Sequence, residues 1–266
     1  MLITQRIYLD PKNDIAFRRL FGRPSHKEIT ISLLNSVLNF TGSDCITDIT
    51  HLSTHLLPES IELRESIVDI LCEDQRGQQY IVELQILKPL NFDKRVFYYA
   101  SKTYVSQMLK GDDYPKLKKV YLVGILDHVM FSHTQRYKTE HTILDKVDYN
   151  QTFKDFEFHI IELPKFTKTE EECVTTEDKW IYFFKNAEKI DHIPSRVTES
   201  AIKQAYDLMA QFNWSREEMD LYERSILAVQ DLHAIEAQAR KDGWKKGLEK
   251  EKQRVKEKCK LKLQKI

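Results

Sequence analysis

The sequence predicts an α/β fold, with a mixed central sheet flanked by helices and followed by a helical C-terminal region. Helical patterns, a hairpin, a further helix and two apolar runs of strand length follow one another in the first 165 residues. Glycine and proline are scarce, at seven residues each, so the chain favours regular elements over long loops. Hydrophobic residues make up 41% of the 266 residues, which is enough for a packed core.

Two helices are predicted before the sheet. Asp10 and Pro11 suit the N-cap and the first helical position, and an apolar stripe then runs up to Gly22, which suits a helix C-terminus. Residues 25–39 show a second helical stripe.

A β-hairpin is the strongest local signal in the chain. Residues 66–73 (SIVDILCE) and 79–87 (QYIVELQIL) have the composition of strands, and Gly77 in the intervening turn suits a positive φ. Both faces of these strands are apolar, so we expect them at the centre of a sheet covered on both sides. Three more elements are predicted: an aromatic-rich helix over 93–109 and buried strands over 119–126 and 157–163.

From residue 177 onward the pattern is helical. Ser215 and Glu218 form a capping-box motif, which predicts the start of a helix. We therefore divide the chain into a core over 1–165, a helical C-terminal region over 166–235 and a basic, charged helical tail over 236–266.

The formal net charge of zero conceals an uneven distribution. Residues 240–266 carry a net charge of +8, so the remainder carries −8. The acidic body alone would not attract nucleic acid strongly, so any affinity for DNA must come from local basic patches or the tail. The tail is either a segment that binds DNA or a solvated helix that pairs with another subunit, and the sequence does not favour one of these over the other.

The sequence also predicts some absences. No apolar run is long enough to span a membrane, and the first ten residues lack the apolar region of a signal peptide. The four cysteines show no metal-binding spacing. We therefore expect a protein of the cytoplasm without membrane partners.

The hairpin brings two acids together. If residues 75–77 form the loop, Asp69 lies opposite Glu83, with Cβ atoms about 4.5–5.5 Å apart. Two like charges in central strands are unfavourable unless a cation lies between them. Gln85 has the same strand parity as Glu83, so its side chain emerges on the same face. Hard oxygen ligands at this density favour Mg²⁺ or Mn²⁺, which activate water and stabilise charge on a phosphodiester.

An acid in one strand followed by Glu-x-Gln in the next resembles the Rpn-type recombination-promoting nucleases, also described as putative transposases, of the PD-(D/E)XK nuclease family. The flanking segments NDIAFRRLFG (13–22) and RVFYYASKTYVSQMLKGDDY (95–114), together with GWKKG near the C-terminus, are similar to that family as well. In this chain Gln85 stands where most PD-(D/E)XK nucleases have lysine.

The resemblance implies a restriction-endonuclease-like core and metal-dependent endonucleolytic cleavage of DNA, associated with recombination or mobile elements. Asp69, Glu83 and Gln85 would be catalytic, and Asp69, Glu83 and Asp14 would bind the metal. Gln85 cannot supply a positive charge, so Lys94 or Arg95 is the better candidate for that role. Cutting both strands of a duplex would favour a homodimer.

Some alternatives remain open at this point. Lys94, Arg95 and Lys102 are predicted to contact DNA phosphates, or else they form a solvated helix face. Tyr98, Tyr99 and Tyr104 either stack on bases or pack in the core. The rival function is that of a catalytically inactive DNA-binding or self-associating protein of a mobile element.

Overall fold

A computed structural model describes residues 7–56, 66–88 and 91–263. The contacts divide the chain into two compact units, Met1–Ser215 and Arg216–Ile266. Every predicted site residue belongs to the first unit. The division into parts over 1–165, 166–235 and 236–266 stays a prediction, and the last three residues of that tail lie outside the described residues.

The first unit is an α/β structure around a mixed six-stranded sheet, as predicted. The strands are β1 (Ile49–His51), β2 (His55–Leu56), β3 (Ser66–Ile67), β4 (Ile70–Asp74), β5 (Gln79–Gln85), β6 (Val120–Leu126), β7 (Lys138–Thr142) and β8 (Phe156–Glu162). The sheet has the order β1-β4-β5-β6-β8-β7, where β5, β6 and β8 run parallel and the other pairs run antiparallel. The two short strands β2 and β3 pair separately.

The hairpin has the predicted register. Ile70 pairs with Val82 and Glu73 pairs with Gln79, and the turn contains Gly77 at a φ of 80°. Asp74 stabilises the turn, since its Oδ1 accepts hydrogen bonds from backbone N–H groups within it. Strands β5 and β6 are buried almost throughout, as expected for the centre of a sheet.

The helices of the first unit form two groups. The helices are α1 (Asp14–Phe21), α2 (Lys27–Val37), α3 (Phe92–Val105), α4 (Thr176–Asn186) and α5 (Ser200–Met209). Helix α3 packs on β6 over a core that includes Leu71, Ile81 and Leu122. The other four pack on one another around a cluster of aromatic side chains that includes Phe21 and Trp180.

The prediction of the first helix start was wrong by three residues. The N-cap of α1 is Asn13, whose Oδ1 accepts hydrogen bonds from the N–H groups of Ile15 and Ala16. Asp10 instead accepts the backbone N–H of Lys12, which closes a turn before the helix. The predicted stop at Gly22 is confirmed.

The second unit is a single helix, α6 (Arg216–Leu263), of 48 residues. It begins directly after Ser215, where the capping-box motif predicts a helix start. The helix continues through both Gly243 and Gly247. Within the described part of the chain, no helix combines the length and the apolar character needed to cross a bilayer.

Candidate active site

The candidate site lies where the hairpin meets α3. Glu83 lies within β5, two residues before the strand ends. Ile81 has the same strand parity as Glu83 and packs in the core beneath α3, so Glu83 also emerges on the α3 face. Asp69 lies one residue before β4, at the position that the register of the hairpin places opposite Glu83.

Asp69 and Glu83 each accept a backbone hydrogen bond from the segment of the hairpin that carries the other acid. The N–H of Asp69 donates to Oε1 of Glu83 at 3.1 Å, and the N–H of Leu84 donates to Oδ2 of Asp69 at 2.9 Å. The backbone pairing of β4 with β5 ends at Ile70 and Val82, and these two backbone-to-side-chain bonds continue the contact between the segments beyond it. The sequence therefore places both carboxyl groups at one point and gives one oxygen of each a fixed partner.

The second oxygen of Glu83 is held more loosely. Its Oε2 accepts from Nε2 of Gln85 at 3.3 Å and from Nη2 of Arg95 at 3.4 Å. Both distances exceed the usual 2.7–3.2 Å of N–H···O bonds. The side chain of Glu83 is only 3% exposed, so a buried charge there has weak compensation from these two groups.

Burial disfavours the charged form of both acids. Desolvation and the neighbouring Asp69 raise the pKa of Glu83 to about 8, against a lowering effect of Arg95. Desolvation also raises the pKa of Asp69, and the charge of Asp14 adds to this effect. The hydrogen bond from Leu84 and the charges of Arg18 and Arg95 act in the opposite direction on Asp69. The site is therefore short of positive charge.

Arg95 is positioned by its own helix. Its guanidinium lies 5.5 Å from the ring centres of both Phe92 and Tyr99, one turn away on either side. Phe92 in turn packs close to Gly124, the residue of β6 that pairs with Glu83. A Cβ at position 124 would lie at an ordinary contact distance of 3.7 Å from the Phe92 ring, so only a side chain larger than that of alanine would push on the first turn of α3.

The other predicted residues lie in the first turn of α1 and along α3. Asp14 is exposed in the first turn of α1, near enough for its charge to act on Asp69. Lys94 is exposed in the first turn of α3. The ammonium of Lys102 lies 5.7 Å from the ring centre of Tyr98, two turns further along.

Arg18 is a site neighbour that the sequence analysis missed. Its charge lowers the pKa of Asp69, and it lies four residues after Asp14 on the same face of α1. The i,i+4 spacing from a suspected site acid was the available signal. No pattern in the sequence indicated that Lys12 is buried beside Asp10, Asp127 and Glu188. Two of these three partners come from distant parts of the chain, so no local spacing predicts the cluster.

The donor set fits a hard divalent cation. Two carboxylates and the amide of Gln85 supply oxygen atoms of the kind that Mg²⁺ and Mn²⁺ prefer, and one oxygen of Glu83 has only long contacts. Among residues 7–56, 66–88 and 91–263, no three His, Cys, Asp or Glu side chains form a metal-binding group. The role of Asp14 as a third ligand stays a prediction.

A family model described as PD-(D/E)XK nuclease family transposase matches residues 11–261. The match covers the sheet, the hairpin acids, α3 and most of α6. No curated protein and no solved structure matches the chain significantly.

Proposed function

Because the chain belongs to the PD-(D/E)XK nuclease family transposases, we propose that it is a metal-dependent endonuclease that hydrolyses phosphodiester bonds in DNA. The family implies a nuclease-like function in mobile elements. The finer proposal rests on one observation, the pairing of Asp69 and Glu83 across the hairpin. A buried and a half-buried acid held side by side by backbone hydrogen bonds are costly without a cation, and the loosely held oxygen of Glu83 is available to one.

Each residue of the site has a distinct role in this proposal. Asp69 and Glu83 bind Mg²⁺ or Mn²⁺, and Asp14 completes the shell directly or through water. The bound ion would supply an activated water molecule and stabilise charge on the phosphate. Gln85 orients the Glu83 carboxylate through its amide, and it also lies within reach of a water or phosphate oxygen.

Arg95 supplies the positive charge that Gln85 lacks. It already contacts Oε2 of Glu83 at 3.4 Å, and its stacking on Phe92 and Tyr99 holds the guanidinium over the site. A guanidinium is suited to a phosphate because its planar donors match two phosphate oxygens. Lys94 and Lys102, on the same helix, contact flanking phosphates of the DNA.

The test is nicking of supercoiled plasmid DNA in Mg²⁺. Asp69→Asn and Glu83→Gln keep an acceptor for the backbone N–H that each acid binds, so both variants should fold. We expect each to lose cleavage by on the order of a hundredfold or more, because a neutral amide binds Mg²⁺ poorly. Asp113→Asn, which neutralises an exposed acid elsewhere, is the matched control. Full activity of Asp69→Asn would refute the site.

The rival function is an inactive DNA-binding or self-associating protein of a mobile element. The uncharged Gln85 favours it, since the lysine of most PD-(D/E)XK nucleases is absent. Calorimetric titration with Mn²⁺ separates the two. A nuclease should bind the ion and lose that binding in Glu83→Gln, whereas an inactive protein should show no binding that depends on Glu83.

A further inference from the structure

The exposed side of α3 carries an aromatic ring between two lysines. Lys94, Tyr98 and Lys102 are each four residues apart, so they form one line of about 12 Å along the helix surface, which we call the α3 stripe. The Tyr98 side chain is 44% exposed. We propose that the α3 stripe binds an unpaired stretch of the DNA substrate, with a base stacked on Tyr98 and the flanking phosphates at Lys94 and Lys102.

The α3 stripe begins beside the candidate active site. Arg95, which contacts Glu83, is the residue after Lys94. Arg95 also stacks on Tyr99, whose ring centre lies 6.3 Å from that of Tyr98. A strand bound along this line therefore passes from the exposed ring of Tyr98 toward the two acids. The inference rests on the proposed function, since it names the substrate class of the same site.

The charge of α3 differs from that of the acidic body. Its 14 residues contain Lys94, Arg95 and Lys102 against the single acid Asp93, a net charge of +2. Positive charges interleaved with exposed rings are typical of surfaces that bind single-stranded nucleic acid. The ammonium of Lys102 lies 5.7 Å from the centre of the Tyr98 ring, so a positive charge stands directly beside the exposed ring.

An unpaired strand suits this surface better than a duplex does. Bases in a duplex already stack on their neighbours, so a surface ring reaches them only after unpairing, which is unfavourable. An unpaired base offers its face at no such cost. Tyr104 has another role, since its hydroxyl donates to Asp155 and its ring packs on Phe156, so the inference concerns Tyr98 and not every tyrosine of the helix.

The test measures binding of the full chain to a fluorescein-labelled 12-nucleotide single strand and to the same sequence as a blunt duplex. Anisotropy in EDTA reports affinity without cleavage. We expect wild type to bind the single strand more tightly. Tyr98→Ala should lose about tenfold on the single strand with little change on the duplex, while Tyr98→Phe keeps the ring and the affinity. Phe212→Ala, which removes an exposed ring after α5, is the matched control.

Three results would overturn the inference: no preference for the single strand, equal losses on both ligands, or equal behaviour of Tyr98→Ala and Phe212→Ala. Failure of the proposed function is distinguishable, because these measurements need no metal and no hydrolysis. A protein that binds the single strand through Tyr98 but never cuts DNA refutes the nuclease proposal alone. If Tyr98→Ala cuts DNA with the same preference for the single strand as wild type, only the proposal for the α3 stripe is refuted.

Discussion

At the scale of single residues, one feature dominates the site: each acid of the hairpin accepts a hydrogen bond from the strand that carries the other. Asp69 receives the N–H of Leu84, and Glu83 receives the N–H of Asp69. A buried carboxyl group fixed in this way cannot turn toward solvent to recover hydration. It either takes up a proton, which low pH favours, or binds a cation, which high pH favours.

The raised pKa of Glu83 predicts how the metal-free protein responds to pH. The ordinary value is 4.5 and the folded value is about 8, so the folded state binds an extra proton between them. The contribution of Glu83 to the free energy of unfolding is complete below pH 4.5 and is lost as the pH rises through 8. Between these values it falls by about 1.4 kcal/mol for each pH unit. In EDTA, the melting temperature by circular dichroism should therefore fall between pH 6 and pH 8.5.

Glu83→Gln is the control for this titration, since its amide has no proton to lose in that range. Its melting temperature should depend less on pH than that of wild type. Mg²⁺ at pH 8.5 should restore stability to wild type and not to Glu83→Gln, because bound ligand stabilises only the state that binds it. Identical pH profiles of the two proteins would contradict the prediction.

Gln85 allows a gain of function to be tested. In Gln85→Lys an ammonium replaces the amide that lies 3.3 Å from Glu83, and the Glu-x-Lys pattern of most PD-(D/E)XK nucleases is restored. We expect plasmid nicking to increase by roughly tenfold or more, since a positioned cation stabilises the transition state. Gln85→Met has similar length without the charge and should not gain activity. Equal rates for the two variants would exclude a charge effect at this position.

At the scale of elements, the docking of α3 on the sheet decides where Arg95 lies. Gly124 pairs with Glu83 across β5 and β6, and a Cβ there would lie 3.0 Å from Cδ1 of Ile160 and 3.7 Å from the Phe92 ring. A Cβ alone would therefore press on Ile160 and touch Phe92 only at ordinary contact distance, whereas a larger side chain would push on the first turn of the helix. A small residue at 124 thus keeps Phe92, and with it Arg95, in place over the sheet.

Enlarging residue 124 should therefore reduce both stability and cleavage. Gly124→Val overfills the contact and should cost about 1–3 kcal/mol, or about 2–4 °C in melting temperature for each kcal/mol. The cleavage rate should fall by more than the loss of folded protein accounts for, because a shift of Phe92 also displaces Arg95. Gly124→Ala meets chiefly the flexible end of Ile160 and should have a smaller effect. A Val variant with normal cleavage at a temperature well below its melting point would refute the role of this contact.

The central elements were predictable because local patterns determine them. The apolar runs around Asp69 and Glu83 and the turn at Gly77 were enough to predict the hairpin and its register. Strands β1 and β7 were missed because they lie at the sheet edges, where sequences such as KTEHT (138–142) show no apolar alternation. Arg95 was a candidate charge, but its contact with Glu83 depends on how a helix packs across strands, which no spacing in the sequence encodes.

At the scale of the whole molecule, charge is divided between the body and the C-terminal end. Residues 240–266 carry +8 and the rest carries −8. The helix α6 alone extends for about 72 Å, and its first 24 residues carry a net charge of −4 while its last 24 carry +7. An acidic body exerts little long-range attraction on DNA, so under the proposed function the basic end is the part of the chain that would supply non-specific affinity.

Neutralising exposed lysines of α6 should weaken DNA binding in a salt-dependent way. Replacing Lys245, Lys246 and Lys250 together by glutamine should lower the slope of log Kd against log salt concentration, by about 0.9 for each lysine that contacts a phosphate of duplex DNA. The cleavage rate at saturating DNA should not change. Asp220→Asn with Glu223→Gln, in the first half of the same helix, is the control. If the triple variant keeps the slope of wild type but sediments differently, the basic end pairs subunits instead.

The two hydrogen bonds that join Asp69 and Glu83 to the facing strand also bear on which substitutions the fold tolerates. An aliphatic residue in place of either acid would leave a buried amide without an acceptor, at a cost of about 1–3 kcal/mol. Selection for folding alone would therefore keep an acid or its amide at both positions, even in a relative that cuts no DNA. An acid at these positions thus does not mark a relative as a working enzyme, and residues 85 and 95, which the hairpin does not need, are the more informative positions to compare.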